Sequence, residues 1–161
     1  MTFFKDLSKY AYHRAEFDAP NTVNIGWLAL GHEFPTKTPS EDLLELVWSY
    51  CKFSVAQMRG VHECEFCPSG DWHLAERNGQ RLLLGTSEIR VFSPDGVIYA
   101  APTLIYHYII IHHYSPPEEF IRALSDGPRP PTQEYLKRIE SLGLEWKATS
   151  VPDEKTVRFR F

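Results

Sequence analysis

Two cysteines and two histidines constrain this chain more than any other feature in it. Cys64 and Cys67 form a C-x2-C pair, and after a gap of 39 residues His107 and His112 follow as H-x4-H. A CxxC turn places two sulfurs on one side of a tight knuckle, where both reach a tetrahedral ion at ~2.3 Å. The x4 spacing lies inside the range used by zinc histidines. The gap is too long for a small zinc finger, so the ion would tie the knuckle to a helix that follows intervening structure. On an ideal helix, residues five apart are rotated by ~140°. His107 and His112 therefore face one ion only if the helix loosens or ends near Ile110, and Pro116 favours an early end. His62, in H-x-C beside the knuckle, is the natural substitute. Five candidates, His62, Cys64, Cys67, His107 and His112, thus compete for the four positions of a structural zinc site.

The remaining composition limits the partners. At 161 residues, with 43% apolar and 24% charged positions, the chain fits one domain, 1–161, whose core is large enough to need no disulfide staples. The net charge of −4 and the scattered basic residues argue against nucleic acid, which demands a basic patch. The one cluster, Lys155, Arg158 and Arg160, alternates with Val157, Phe159 and Phe161 and reads as the wet face of a strand. The start, MTFFKDLSKY, has no apolar stretch of a secretory signal, and no run approaches the ~20 residues that span a bilayer. A cytoplasmic setting is expected, in which a CxxC pair serves metal or redox chemistry and not a disulfide framework. Redox use favours a helix N-terminus behind a strand, and Pro68 follows Cys67 instead.

Periodicity predicts α+β architecture, with antiparallel hairpins and three to four helices packed around the metal knuckle. Thr22 to Leu30 reads as a strand, with Gly26 as a bulge or close approach. Ser40 caps a helix whose Leu43, Leu44, Val47, Trp48 and Cys51 form one apolar stripe, with Cys51 as a buried hydrophobe. Residues 57–80 read as irregular and polar. Ser87–Phe92 and Val97–Ala101 form a hairpin around Ser93-Pro94-Asp95-Gly96. Pro102 opens a helix carrying Leu104, Ile105, Tyr108, Ile109 and His112 inward. Ser115-Pro116-Pro117-Glu118-Glu119 starts another, Asp126 to Pro131 is a stiff linker, and Thr132 caps the last. A final hairpin joins Trp146–Thr149 to Lys155–Phe161. His13, His32 and His73 read as surface or loop residues.

Catalytic templates do not fit. The zinc-deaminase order, H-x-E before P-C-x-x-C, is not met, because Pro68 follows the cysteines. HExxH, GxGxxG and GxxxxGK[ST] do not occur. Glu63 and Glu65 flank the cysteines and could act as a base beside a metal-bound water, although they read first as solvated knuckle residues.

Several segments resemble an uncharacterised family of small bacterial proteins. They are Arg59-Gly60 with His62, Cys64 and Cys67; Glu88-Ile89-Arg90-Val91; Leu104-Ile105-Tyr106-His107-Tyr108; and His112, Tyr114, Pro116-Pro117 and Phe120. The opening Phe3-Phe4-Lys5-Asp6-Leu7-Ser8 and Asn24-Ile25-Gly26-Trp27-Leu28 are similar too. The resemblance implies a bacterial cytosolic origin, occupies the five candidate ligand positions, and carries a small residue such as Gly at position 113. It implies no activity. The chain is expected to be a zinc-stabilised, non-enzymatic protein-binding module of immunity or antitoxin type with an unidentified protein partner. The alternative is a small metal-dependent hydrolase with an open zinc site.

Overall fold

The structure, a computed structural model, describes residues 2–12, 21–68, 70 and 73–148. Its centre is the expected hairpin, β5 (Glu88–Phe92) against β6 (Ile98–Pro102), in the register Glu88↔Pro102 to Phe92↔Ile98. The turn closes through Ser93 N–H to the Val97 carbonyl at 2.9 Å, and Gly96 takes φ +93°. β1 (Thr22–Asn24) adds parallel to β6, β2 (Phe53–Val55) adds antiparallel to β5, and β7 (Trp146–Ala148) pairs with β2. The sheet order is β1-β6-β5-β2-β7.

All five residues of β5 are buried, so both sheet faces are covered. Successive side chains alternate between faces. Ile89 and Val91 join the main core beneath α1 (Glu41–Cys51) and α3 (Glu118–Asp126). Glu88 and Arg90 meet Tyr10 on the other side, where the N-terminal segment bridges Phe4 to Trp27 and Lys9 to Val23. α1 forms as its cap predicts: Ser40 Oγ accepts from Leu43 N–H at 3.1 Å, and Leu44, Val47, Trp48, Tyr50 and Cys51 are buried. Burial pushes the Cys51 thiol up to about 12, which keeps it protonated and unreactive. α2 (Ile105–His112) and α4 (Gln133–Ser141, capped by Thr132) complete the helices.

Three expectations are corrected, and a fourth falls partly outside the described residues. The first strand stops at Asn24, because Gly26 turns away at φ +71° and a Cβ there would lie 3.0 Å from the Ile105 side chain. Pro102 closes β6 instead of opening α2, which starts at Ile105. Residues 57–80 hold part of a second hairpin, β3 (Leu74–Arg77) and β4 (Gln80–Leu83). β7 pairs with β2, while residues 149–161, the other half of the expected final hairpin, lie outside the described residues. No helix among the described residues is long and apolar enough to cross a membrane.

Candidate metal centre

The knuckle and α2 are both referenced to one short stretch of backbone, residues 84–87. Met58 N–H donates to the Thr86 carbonyl at 2.7 Å and His62 N–H to the Gly85 carbonyl at 2.8 Å. At φ +93°, Gly85 sits so close that a Cβ would lie 2.3 Å from the His62 carbonyl oxygen. On the other side, Gly85 N–H donates to Thr103 Oγ1 at 3.0 Å, and Thr103 Oγ1 donates to the Ser87 carbonyl at 3.1 Å. Thr103 stands two residues before α2, so the same strand end fixes where the helix begins.

Past Val61 the chain turns. Cys67 N–H donates to the Cys64 carbonyl at 3.3 Å, closing the CxxC knuckle. Phe66 wedges it in place, with ring centroids 5.4 Å from both Phe34 and His112. The facing helix solves the rotation problem by widening its last turn. Both His113 N–H and Tyr114 N–H return to the Tyr108 carbonyl, five and six positions back, where an α-turn would use four. Wider turns rotate each residue by less than ~100°, which carries His112 back toward the side of His107.

Cys64, Cys67, His107 and His112 therefore converge, one ligand atom from each, all within 4.8 Å of one another. Cys64 Sγ lies 3.3 Å from His112 Nε2, and Cys67 Sγ lies 3.4 Å from both His107 Nε2 and His112 Nε2. A tetrahedral ion with metal–sulfur distances of ~2.3 Å and metal–nitrogen distances of ~2.0–2.1 Å has S···N edges of roughly 3.5 Å. The donor set fits such an ion in both chemistry and spacing. Electrostatics agree for the histidines: burial, then the neighbouring rings of His73 and His112, holds His107 down to about 4, and burial lowers His112 as well. Both imidazoles are thus neutral and available as donors near pH 7. Cys64 is different. Burial pushes its thiol up to about 11 without an ion, so it must release a proton on binding.

Of the five candidates, His62 is the one not brought in. Its backbone amide is held by the Gly85 carbonyl, and its imidazole is not part of the cluster. His113, next to a converging residue, is exposed and caps α2 in the left-handed region. Glu63 and Glu65 are exposed, and Glu63 Oε2 accepts from Gly70 N–H at 3.3 Å. Were all four to bind one tetrahedral ion, no vertex would be left for water, the condition of a closed site.

One residue of the site was missed in sequence. His73 lies in a loop, as the sequence reading has it, yet it is half-buried, its Nε2 accepts from Cys64 N–H at 3.1 Å, and its ring lies 4.1 Å from that of His107. No ligand spacing marks it. The signal was Asn78-Gly79, whose φ of 50° and 73° make the tight β3–β4 turn and so place His73 at the foot of β3. Arg77 then ties that hairpin to α1 through Glu45 at 2.7 Å and Glu41 at 2.6 Å.

A search of the curated proteins and of the solved structures finds no match. The four converging residues, α1, α2 and the whole central hairpin fall inside a family match over residues 2–125, and the chain belongs to that family, described as Domain of unknown function (DUF7919).

Proposed function

We propose that this chain is a zinc-stabilised, non-enzymatic protein-binding module, of the kind that acts as an immunity or antitoxin-like partner of another protein. The observation that carries the reading is the convergence of Cys64, Cys67, His107 and His112 within 4.8 Å, a complete set of four donors for a borderline-soft tetrahedral ion. Three further points support a structural role. The ligands come from two segments that the ion would clamp together. One of the two knuckle carboxylates, Glu63, is engaged with Gly70 N–H. Cys64 and His107 are 2% and 9% exposed, so both ligands are largely shielded from solvent.

Elemental analysis of protein purified without chelators tests the first half: about one zinc per chain is expected, and metal-free protein would overturn it. Cobalt substitution tests the second. A closed site gives a tetrahedral spectrum indifferent to azide or thiocyanate. A spectrum that shifts with azide, together with a hydrolytic activity lost in Glu63→Gln, would hand the site to a metal-dependent hydrolase.

A further inference from the structure

Resting on the protein-binding reading, we propose that the free edge of β3 is the docking strand. It takes an extended segment of a partner protein, apolar at alternate residues and carrying a basic side chain, as an added strand in the cleft between β3 and α2.

The backbone argument comes first. β3 pairs with β4 alone among the described residues, in the register Leu74↔Leu83 to Arg77↔Gln80. A two-residue turn makes Arg77↔Gln80 a hydrogen-bonded pair, and the Leu84 N–H bond to the His73 carbonyl at 2.9 Å continues that phase. Residues 73, 75 and 77 thus turn their backbone groups toward β4. Leu74 and Glu76 turn theirs outward, and no hydrogen bond among the described residues uses them. Edges of this kind are blunted by proline, a bulge, shortness or charge. Leu74–Arg77 is short but has neither proline nor bulge, and of its two charges Arg77 is turned to Glu41 and Glu45, leaving Glu76.

The walls and the charge define what fits. A cleft of about 280 Å³ runs along the edge, with Leu74, Ala75 and Glu76 on one side and Tyr106, Ile110 and Ile111 on the other. Leu74, Ile110 and Ile111 are 42%, 37% and 57% exposed, three of the five large exposed hydrophobics among the described residues. Apolar side chains at alternate positions of an added strand would cover them, since alternate residues share a face. Beside the cleft, Glu41 and Glu45 share the guanidinium of Arg77, and the exposed Glu76 stands across the hairpin from Arg81, so three carboxylates face two positive charges. That imbalance selects a basic residue in the incoming segment. The two walls are joined at the metal centre: His73, which leads into β3, holds Cys64 N–H, and His107 lies on α2 between Tyr106 and Ile110. Docking therefore depends on the ion.

The test pans a phage-displayed library of random nine-residue peptides against the full-length, zinc-loaded chain. Enriched peptides are expected to alternate apolar residues with at least one Lys or Arg. Their affinity should fall about tenfold or more in Ile111→Glu and in Glu76→Lys, and fall again on chelation. Amide exchange at Leu74 and Glu76 should slow in the complex. Both substituted side chains are exposed, so unchanged metal content and thermal midpoint certify the variants. No enrichment, equal binding to the variants, or unprotected Leu74 and Glu76 amides would each overturn the proposal. So would a self-dimer abolished by Ile111→Glu, which gives the edge to a second copy. Metal content measured on the same preparation separates the failures: zinc without peptide binding sinks the docking strand alone, and protein without zinc sinks the metal reading.

Discussion

The metal centre and the cluster under the N-terminal segment are both polar groups gathered from distant residues, yet they are closed by different means. At the second, Tyr10 Oη donates to Glu88 at 2.9 Å, Arg90 pairs with Glu88 at 3.1 Å and donates to Tyr10 Oη at 3.2 Å, and its guanidinium lies 4.8 Å from the Tyr10 ring centroid. Hydrogens and opposite charges complete that cluster, as buried charges require. At the first, two sulfurs meet two neutral imidazole nitrogens. Without an ion a thiol proton can bridge sulfur to nitrogen at these contacts, whereas a cation takes a lone pair from all four at once. A buried polar cluster complete in its own protons is architecture; one made of converging lone pairs asks for an ion.

The largest expected effect breaks the first cluster and leaves the second whole. Structural zinc is worth ~10–16 kcal/mol in finger peptides that have no other core. Here the sheet and helices carry much of the fold, so the loss is smaller: with free zinc at about a thousand times Kd, chelation should lower the unfolding free energy by about 4 kcal/mol. Urea unfolding with and without chelator measures it. Cys64→Ser should lose the same stability, and chelator should then change nothing further. A Cys64→Ser protein that still responds to chelator holds its ion elsewhere.

Breaking the second cluster should cost about 3–5 kcal/mol, because Glu88→Ala strands the guanidinium of Arg90, which is 2% exposed. Replacing Glu88 and Arg90 together by methionine should recover most of that loss. The bonds that close each cluster run between its own members, so the Glu88→Ala and Cys64→Ser losses should add to within ~0.5 kcal/mol. A larger interaction energy would mean that the 84–87 strand end couples the two.

The two regions also differ in how far the sequence reveals them. Metal ligation admits few residue types, so Cys64, Cys67, His107 and His112 announce themselves across any gap. Local signals likewise place α1, through Ser40 and its stripe, and the β5–β6 hairpin, through Pro94-Asp95-Gly96. Glu88, Arg90 and Tyr10 carry no such mark: alone, each is an ordinary surface residue, and only β5's burial on both faces makes them a cluster. β2 is three residues long, too short for periodicity to register, and the parallel pairing of β1 with β6 is decided by tertiary packing. The β3–β4 hairpin was hidden by its exposed face, which makes a real strand read as polar loop.

Acid should act on the metal centre through its ligands. The folded state holds His107 from its ordinary 6.5 down to about 4 through burial, so between those values the unfolded chain binds more protons. The stability linked to His107 is therefore complete above pH 6.5 and lost as pH falls toward about 4. Cys64, held protonated up to about 11 without the ion, adds the same direction to binding: metal affinity should rise with pH as the thiol proton is displaced. Zinc release followed by a chromogenic chelator should track the loss of stability over this window, and His107→Ala should flatten its pH dependence. An acid transition that runs ahead of zinc release would assign it to other groups.

The smallest effect concerns the residue beside the last ligand. His113 is exposed, sits at φ 55°, and serves only with its backbone: its N–H returns to the Tyr108 carbonyl and its carbonyl accepts from Lys37 N–H at 2.9 Å. An L-residue in the left-handed region is disfavoured by roughly 1–2 kcal/mol, partly offset when glycine replaces it by glycine's greater freedom in the unfolded chain. His113→Gly should therefore stabilise the protein by about 0.5–1 kcal/mol, read as a higher urea midpoint, with zinc content unchanged. His113→Ala keeps the strained backbone and should gain nothing. His112→Ala should leave the cap intact and cut zinc affinity by about 10-fold or more. If zinc binding followed His113 and ignored His112, the widened last turn of α2 would be delivering the wrong imidazole, and the account of how two histidines five residues apart reach one ion would fall with it.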